Sequence, residues 1–361
     1  MFTEWYPNPE DPQLGVFIEK HARAAAVNHQ VTLLYIRTSK QNQEKFRVEI
    51  QEGNPRIISI TIKRSVFLWT RKFRYFQSVK KAIKMIGEFD LLHLQVCGKN
   101  ALASDYFFHE KPMLITEHWS GFLRNEKKGL IPEKDLSKAF HKAKLISAVS
   151  EPLKESIENR FSIQGVKIIP NVIEFSEKKN SIHNGIRIVV VADLVDKIKN
   201  ISGILEACSQ IEFPENSQLV IIGDGQDASH LKLLAGQLTF HSLQVQFLGR
   251  LKNEDTLHEI SSSDFLIMNS FHETFSMVTA EAIASGIPVI ATRCGGPEQF
   301  VDPENGILIQ PGSQAELIAA IQHMLTNYSR YDAENIRKSI LDKYGFEKVS
   351  EILKQIYSEI Y

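Results

Sequence analysis

Apolar residues along this chain fall into two alternating rhythms. From residue 186 onward, short and almost wholly apolar runs (IRIVVVA, QLVIIG, LQVQFLG, DFLIMNS, PVIAT, ILIQ) are separated by stretches such as ISGILEACSQI, ASHLKLLAGQL, DTLHEISSS and FSMVTAEAIAS, whose apolar positions recur at helical spacing. Runs of that kind predict strands buried on both faces, and helices between them predict a parallel sheet with right-handed crossovers. The first half repeats the scheme less regularly, with strand runs HQVTLLYI, RVEI, IISITI, LLHLQV, MLITEH, KLISAV and VKIIP. Its EGNP segment at 52–55 reads as a hairpin turn. The tail from Phe346 spaces Val349, Ile352, Leu353 and Ile356 along one face of a helix.

The predicted fold class is therefore α/β, two doubly wound parallel sheets. Between the halves NVIEFSEKKNSIHNG is polar and lysine-rich, as an exposed linker would be. The expected domains are 1–175 and 176–345, with the helix 346–361 packing back on the first. At 361 residues each half can bury a core of its own. Ligands of such sheets sit at the C-terminal ends of the strands.

Composition changes this picture little. With 43% hydrophobic and 24% charged residues the chain is an ordinary globular one, which excludes disorder and fibres. No window approaches the ~18 apolar residues of a membrane-spanning helix, and the acidic start MFTEWYPNPEDP is no signal peptide, so a cytoplasmic protein is expected. Cys97, Cys208 and Cys294 are too widely spaced to suggest a metal pair or a disulfide framework, and read as small buried hydrophobes. Charge changes the picture more. Residues 1–180 hold 29 basic and 20 acidic side chains, while 181–361 hold 13 and 23. The densest basic stretch is 63–87, with eight Lys or Arg, no carboxylate, and Phe67, Trp69, Phe73, Tyr75 and Phe76 interleaved. Such a patch suits anionic headgroups on the inner membrane face or a lipid-linked substrate, or is plain solvated surface. Nucleic acid is disfavoured by the near-zero net charge of -1 and by the lack of any nucleic-acid motif.

The chemistry gathers in NSFHETFSMVTAEAIASGIPVIATRCGGPEQF, 269–300. A helix is predicted to open near Phe275 and to close at Gly286. Its first N–H groups, at Phe275, Ser276 and Met277, would make a phosphate site without a cationic side chain. Glu273 and Glu281 bracket that site. Carboxylates beside a diphosphate make sense if each accepts hydrogen bonds from vicinal hydroxyls, a ribose on one side and a hexose on the other. The ligand implied is a nucleotide sugar. The bland alternative leaves Glu273 complementing the helix dipole and Glu281 exposed. Glycines in GDG at 223–225 and CGGPE at 294–298, each after a predicted strand, would allow close backbone approach.

These residues resemble the retaining glycosyltransferases of family four, whose GT-B fold sets two Rossmann-like domains across a cleft. The resemblance spans essentially the whole chain and rests on Glu273 and Glu281 as an E-x7-E element, CGGPE, GDG, FLGR at 247–250 and the IPN of Ile169–Asn171. It implies that Glu273 approaches the transferred sugar and Glu281 holds the ribose. It also implies that Gly15, in WYPNPEDPQLGVFIEKHARAA, lies against the donor phosphate, that His118 reaches the sugar, and that Arg250 frames the nucleobase. Gly223, Thr274, Phe275 and Ser276 complete the donor-binding set, and Lys199 is the expected phosphate cation, with Lys197 its rival and Arg293 a further source of charge. The leaving phosphate would take the acceptor's proton, so neither a dedicated base, nor a metal, nor a cofactor is expected.

Two departures stand out. In ADLVDKIKN, Asp193 occupies the position where the family carries an arginine. Beside a diphosphate it would cost about 4 kcal/mol at ~4 Å and an effective dielectric near 20, so it is expected to point away or to mark a different donor. The family also has a full first strand before the WYP loop, where this chain has only MFTE. Either the start lies upstream or the strand is short, and weak order is expected before Trp5. The expected activity is transfer of a sugar from a nucleotide-diphosphate donor to a hydroxyl of a glycan or lipid-linked acceptor, in surface polysaccharide or glycolipid synthesis. The alternatives are a GT-B epimerase or phosphorylase, and a catalytically weak glycan-binding scaffold.

Overall fold

The computed structural model describes residues 1–108, 110–129, 131–177 and 185–360, and the chain divides into two compact units. Met1–Val172 and the chain from Glu347 on form the first, and Ile173–Phe346 the second. The expected linker falls largely on 178–184, outside the described residues.

The first unit is built on eight strands: β1 (Phe2–Thr3), β2 (Thr32–Ser39), β3 (Phe46–Gln51), β4 (Arg56–Lys63), β5 (Leu92–Gln95), β6 (Met113–Glu117), β7 (Leu145–Ala148) and β8 (Lys167–Ile168). Their spatial order is β3-β4-β2-β1-β5-β6-β7-β8. All neighbours run parallel except β3 and β4, which form the antiparallel hairpin that EGNP announces. The helix Phe346–Ser358 belongs to this unit, burying Val349, Leu353 and Ile356 and bonding Asn28 Nδ2 to Ser350 Oγ at 3.1 Å.

One expectation fails at the amino end. Rather than weakly ordered chain, Phe2–Thr3 is a central strand, with Phe2 opposite Leu34 on one side and Leu94 on the other. Two residues suffice because both flanks are paired and Phe2, at 1% exposed, fills the core between β2 and β5.

The second unit carries six strands, β9 (Arg187–Val191), β10 (Glu212–Ile222), β11 (His241–Gly249), β12 (Phe265–Met268), β13 (Val289–Thr292) and β14 (Gly306–Ile309). Their order is β11-β10-β9-β12-β13-β14, parallel throughout. Ile188, Val190, Ile221, Phe265 and Ile290 from the sheet pack with Ile204 and Leu205 of the helix Ile201–Cys208 and with Leu317, Ile321 and Met324 of the helix Gln314–Asn327. From β9 the chain winds outward through β10 and β11, and from β12 outward the other way. The β9/β12 junction is thus a topological switch point, where loops at strand C-termini diverge and leave room for a ligand. The first unit switches between β1 and β5 in the same manner.

Truncating Phe2 to Ala is expected to cost about 3–5 kcal/mol, the usual loss for a buried aromatic ring. Thermal unfolding of Phe2→Ala checks this, and an unchanged midpoint would refute the central role given to β1.

Candidate functional site

In the second unit, the segments leaving the strand C-termini hold every sequence-nominated residue except Gly15 and His118, with Lys197 and Lys199 on the short helix after β9 and Glu281 inside the helix after β12. After β9 the chain passes Asp193 and forms a short helix ending at Lys199. After β12 it passes Ser270 and Glu273 before the helix Met277–Ala284. Lys199 Nζ donates to Glu273 Oε1 at 2.6 Å, and Ser270 Oγ donates to the same oxygen at 2.9 Å. The two loops are tied further by Phe271 N–H to the Ile198 carbonyl at 2.7 Å and by Asn269 Nδ2 to the Asn200 carbonyl at 3.2 Å. An acid and a base therefore meet at the switch point. Burial alone pulls the Lys199 ammonium down, but the Glu273 carboxylate, with smaller pushes from Asp193 and Cys294, more than reverses this and the net direction is up. Lys199 stays charged across the physiological range. Lys199, rather than Lys197, is the lysine with an assigned ion-pair partner in this loop.

Glu273 is fixed through its backbone as well. Its N–H donates to the Cys294 carbonyl and its own carbonyl accepts from Gly296 N–H, at 3.2 and 2.9 Å, stitching the loop after β12 to the loop after β13. A Cβ on Gly296 would stand 2.6 Å from the backbone of Phe275, so this stitch demands glycine. Cys294 lies beside it as a thiol that burial pushes up to about 12, which makes it no nucleophile at neutral pH.

The helix begins two residues later than the sequence suggests, at Met277, preceded by Ser276 in the left-handed region at φ 67°. A serine there is strained by roughly 1–3 kcal/mol. Its hydroxyl is held by Thr279 Oγ1 at 2.7 Å rather than capping the helix. Phe275 carries no side chain toward a ligand, since its ring is buried against Phe300 and Tyr344 at 5.4 and 5.2 Å. Of Phe275, only the backbone remains for the anion site expected from the sequence. Glu281, expected to be exposed if it had no role, is 6% exposed. Thr274 is half-buried in the same loop.

Asp193 is not left alone at its loop. Its carboxylate accepts from Arg250 at 3.0 Å, joining the loops after β9 and β11. The acid is thereby balanced by a cation from the end of β11, two strands away in the sheet. Gly223 has φ 136°, and a Cβ on it would lie 1.8 Å from the Ala192 carbonyl oxygen, so its glycine answers to the fold of the loop itself.

Gly15 and His118 belong to the first unit. Gly15, at φ 70°, precedes the helix Val16–Ala26, and a Cβ there would strike the Trp5 carbonyl at 2.6 Å. His118 follows β6 and is set by its neighbour Glu117. That fully buried carboxylate accepts from the N–H groups of Cys97, His118 and Trp119 at 3.0–3.1 Å, and from Lys128 Nζ at 3.2 Å to both oxygens. The His118 ring lies 4.6 Å from Phe17 and 5.3 Å from His21, and its Nε2 is 2.7 Å from Gln95 Oε1. Sequence reasoning missed Glu117 and Gln95, in strands, and His21, in the helix Val16–Ala26, because a lone polar residue gives no sign of what it faces.

The basic stretch forms the helix Leu68–Ile86. Phe67, Trp69 and Phe73 project into solvent, Trp69 at 72% exposed, while Tyr75 turns inward and is lost to the patch. Among the described residues no helix is long and apolar enough to cross a membrane, and no group of three or more His, Cys, Asp or Glu could hold a metal ion.

Residues 14–177 match the family described as Glycosyltransferase Family 4, and residues 172–340 that described as Glycosyl transferases group 1. The chain belongs to glycosyltransferase family four. Curated relatives of this family-four chain include one component of the human phosphatidylinositol N-acetylglucosaminyltransferase, 28% identical over 72% of this chain and 56% of its own length. The N-acetyl-alpha-D-glucosaminyl L-malate synthase of Bacillus anthracis is 26% identical over 51% of this chain and 48% of its own. The chain thus matches about half the length of these relatives. Its GT-B fold is shared with sucrose-phosphate synthase from Thermosynechococcus elongatus, at TM-score 0.76, 19% identity, and coverage of 95% of this chain and 92% of that one. It is shared also with HepE of Anabaena solved with UDP-glucose, at TM-score 0.72, 17% identity, and 99% and 98% coverage.

Two expectations follow. Glu117→Ala would leave the Lys128 ammonium, 11% exposed, without its buried partner, and should cost about 3–5 kcal/mol in thermal unfolding, whereas a surface pair would cost under ~1. Burial lowers His21 from 6.5 to about 4. The unfolded chain then binds a proton that the folded unit refuses, so this stability is full above ~6.5 and is lost as pH falls toward ~4, about 3 kcal/mol in all. The melting temperature should drop across that window, less steeply in His21→Phe; equal slopes would exclude His21 as the source.

Proposed function

We propose that this family-four chain is a retaining glycosyltransferase that moves a sugar from a nucleotide-diphosphate donor to a hydroxyl of a glycan or lipid-linked acceptor, in glycolipid or polysaccharide synthesis. The observation that carries the reading is the Lys199–Glu273 pair at the β9/β12 switch point, directly before a helix that begins after strained Ser276, without a side-chain cap, and that buries Glu281. Relatives named for glycosyl transfer onto phosphatidylinositol and malate, and a fold shared with a protein solved with UDP-glucose, support the class of donor and acceptor.

In this reading the backbone N–H groups at Thr274, Phe275, Ser276 and Met277 meet the diphosphate, helped by the helix dipole. Lys199 stabilises the negative charge that grows on the leaving group, and Glu273 positions Lys199 and the transferred sugar. Glu281 accepts hydrogen bonds from the ribose hydroxyls. Arg250, held by Asp193, frames the nucleobase side, Gly223 and Gly15 shape the loops that approach the donor, and His118 meets a hydroxyl of the sugar. The departing phosphate takes the acceptor's proton on the face it leaves, so configuration is retained without a protein base, and neither metal nor cofactor is part of the proposal. We also propose that Phe67, Trp69 and Phe73 with the surrounding Lys and Arg form a peripheral contact with an anionic cytoplasmic membrane face, where a lipid-linked acceptor would be presented.

Glu281→Ala should weaken donor binding about 10–100-fold, the value of one or two hydrogen bonds to a charged group, while Glu273→Ala should lower kcat at least tenfold with little change in donor affinity. Calorimetry with a panel of nucleotide sugars, followed by product analysis, makes the measurement. Tight donor binding with no transfer to any acceptor would favour the scaffold reading, and unchanged kinetics in both variants would remove the site. Sedimentation with phosphatidylserine-containing vesicles should fall as salt rises from 0.1 to 0.5 M, roughly the range over which screening shortens from ~10 Å. Trp69→Ala should weaken it about tenfold, and binding that ignores salt or Trp69 would dismiss the membrane contact.

A further inference from the structure

His118 ends a chain of buried side chains that crosses the first unit. Tyr357 Oη lies 2.8 Å from His93 Nδ1, His93 Nε2 lies 3.2 Å from Gln95 Nε2, and Gln95 Oε1 lies 2.7 Å from His118 Nε2. Thr116 Oγ1 also faces His93 Nε2, at 2.6 Å, and Ser147 Oγ faces Thr116 at 2.7 Å. All six side chains are buried. Nothing in the proposed chemistry uses five of them.

An amide has two unlike ends, and this one is shared between two imidazoles. Its nitrogen only donates and its oxygen only accepts. Turned toward His93, the nitrogen requires a lone pair on His93 Nε2, so the His93 proton sits on Nδ1 and is donated to the Tyr357 hydroxyl. Thr116 Oγ1 faces the same lone pair at the shorter distance, so its hydroxyl and the Gln95 N–H share that one acceptor, while Thr116 accepts from Ser147. The amide oxygen requires a proton on His118 Nε2, which leaves a lone pair on His118 Nδ1. His21 is set the same way by a simpler partner. Its Nε2 is 2.8 Å from the Pro170 carbonyl, which can only accept, so its Nδ1 is also a lone pair. Both Nδ1 atoms are buried and make no hydrogen bond of good geometry among the described residues, nor does Oδ1 of Asn171, although the Asn171 side chain lies against His118 and the Gln95 side chain against His21. The reverse orientation of the amide would place an N–H on His118 Nδ1, with Asn171 the group left to receive it.

We infer that Gln95 is a positioning residue that holds the proton of His118 on Nε2, so that the remaining nitrogen, the buried Nδ1, can act only as an acceptor, toward Asn171 or toward a ligand hydroxyl that displaces it. The chain extends this control to Tyr357, on the carboxy-terminal helix. Burial, which keeps His93 and His118 neutral at physiological pH, makes the choice of tautomer matter, because a neutral ring offers one donor and one acceptor and not two donors. The consequence for sugar recognition rests on the proposed function; the tautomer assignment does not.

Long-range nitrogen–proton spectra of the histidine rings in the full chain at pH 7.5 read the tautomers directly. His118 and His21 should carry their proton on Nε2, and His93 on Nδ1. A wild-type His118 protonated on Nδ1 overturns the inference and hands control to Asn171. Tyr357→Phe removes the acceptor of the His93 proton, and should move that proton to Nε2 and His118 partly to Nδ1. A His93 that moves while His118 does not overturns the coupling through Gln95. Gln95→Leu should leave His118 a mixture of tautomers and lower kcat about tenfold with donor KM unchanged, and an unmixed Nε2–H signal there overturns the role of Gln95. If the tautomers come out as expected while His118→Ala transfers sugar normally, the contact between His118 and the sugar fails and the assignment of the protons stands.

Discussion

A parallel strand delivers the chain in one direction, and that constraint governs the second unit. Every strand ends on the same edge of the sheet, so Asp193, Gly223, Arg250, Glu273 and Cys294, scattered over about a hundred residues, leave it side by side. The helices between the strands exist to bring the chain back, and their burial on both faces is why the strands read as unbroken apolar runs. Chemistry is confined to the loops. Where two windings diverge, between β9 and β12, the loops carry opposite charges and close on one another through Lys199 and Glu273.

That ion pair also explains why neighbouring residues are what they are. A partly buried lysine needs a partner, and Glu273 needs a fixed backbone to be one. Gly296 permits the close approach that fixes it, and Ser270 adds a second donor to the same carboxylate oxygen. The Asp193–Arg250 pair extends the alternation of charge along the sheet edge. In the first unit the equivalent anchor is Glu117, one carboxylate that gathers three backbone N–H groups and a lysine and so determines where His118 begins.

Both units place polar side chains in low-dielectric surroundings, and the two solve the cost differently. The second pairs full charges near an open edge. The first buries neutral histidines in a chain of hydroxyls and one amide, where each hydrogen bond dictates the direction of the next. Its protonation is held by geometry, and acid is what undoes it.

The sequence by itself determined the class of fold, because apolar periodicity is a direct record of burial. Short continuous runs such as IRIVVVA and QLVIIG, separated by helical stretches, read as strands covered on both faces, and the hairpin at EGNP followed from local turn chemistry. It also picked out Glu273, Glu281 and the glycines, since short motifs keep their spacing along the chain. Phe2–Thr3 was not legible, because two residues make no pattern and their strand exists only through neighbours some thirty and ninety positions away. For the same reason the sequence could not pair Asp193 with Arg250, turn Tyr75 inward, or set Gln95 between two histidines. Those are facts of juxtaposition, decided when the sheet closes and the strand ends meet.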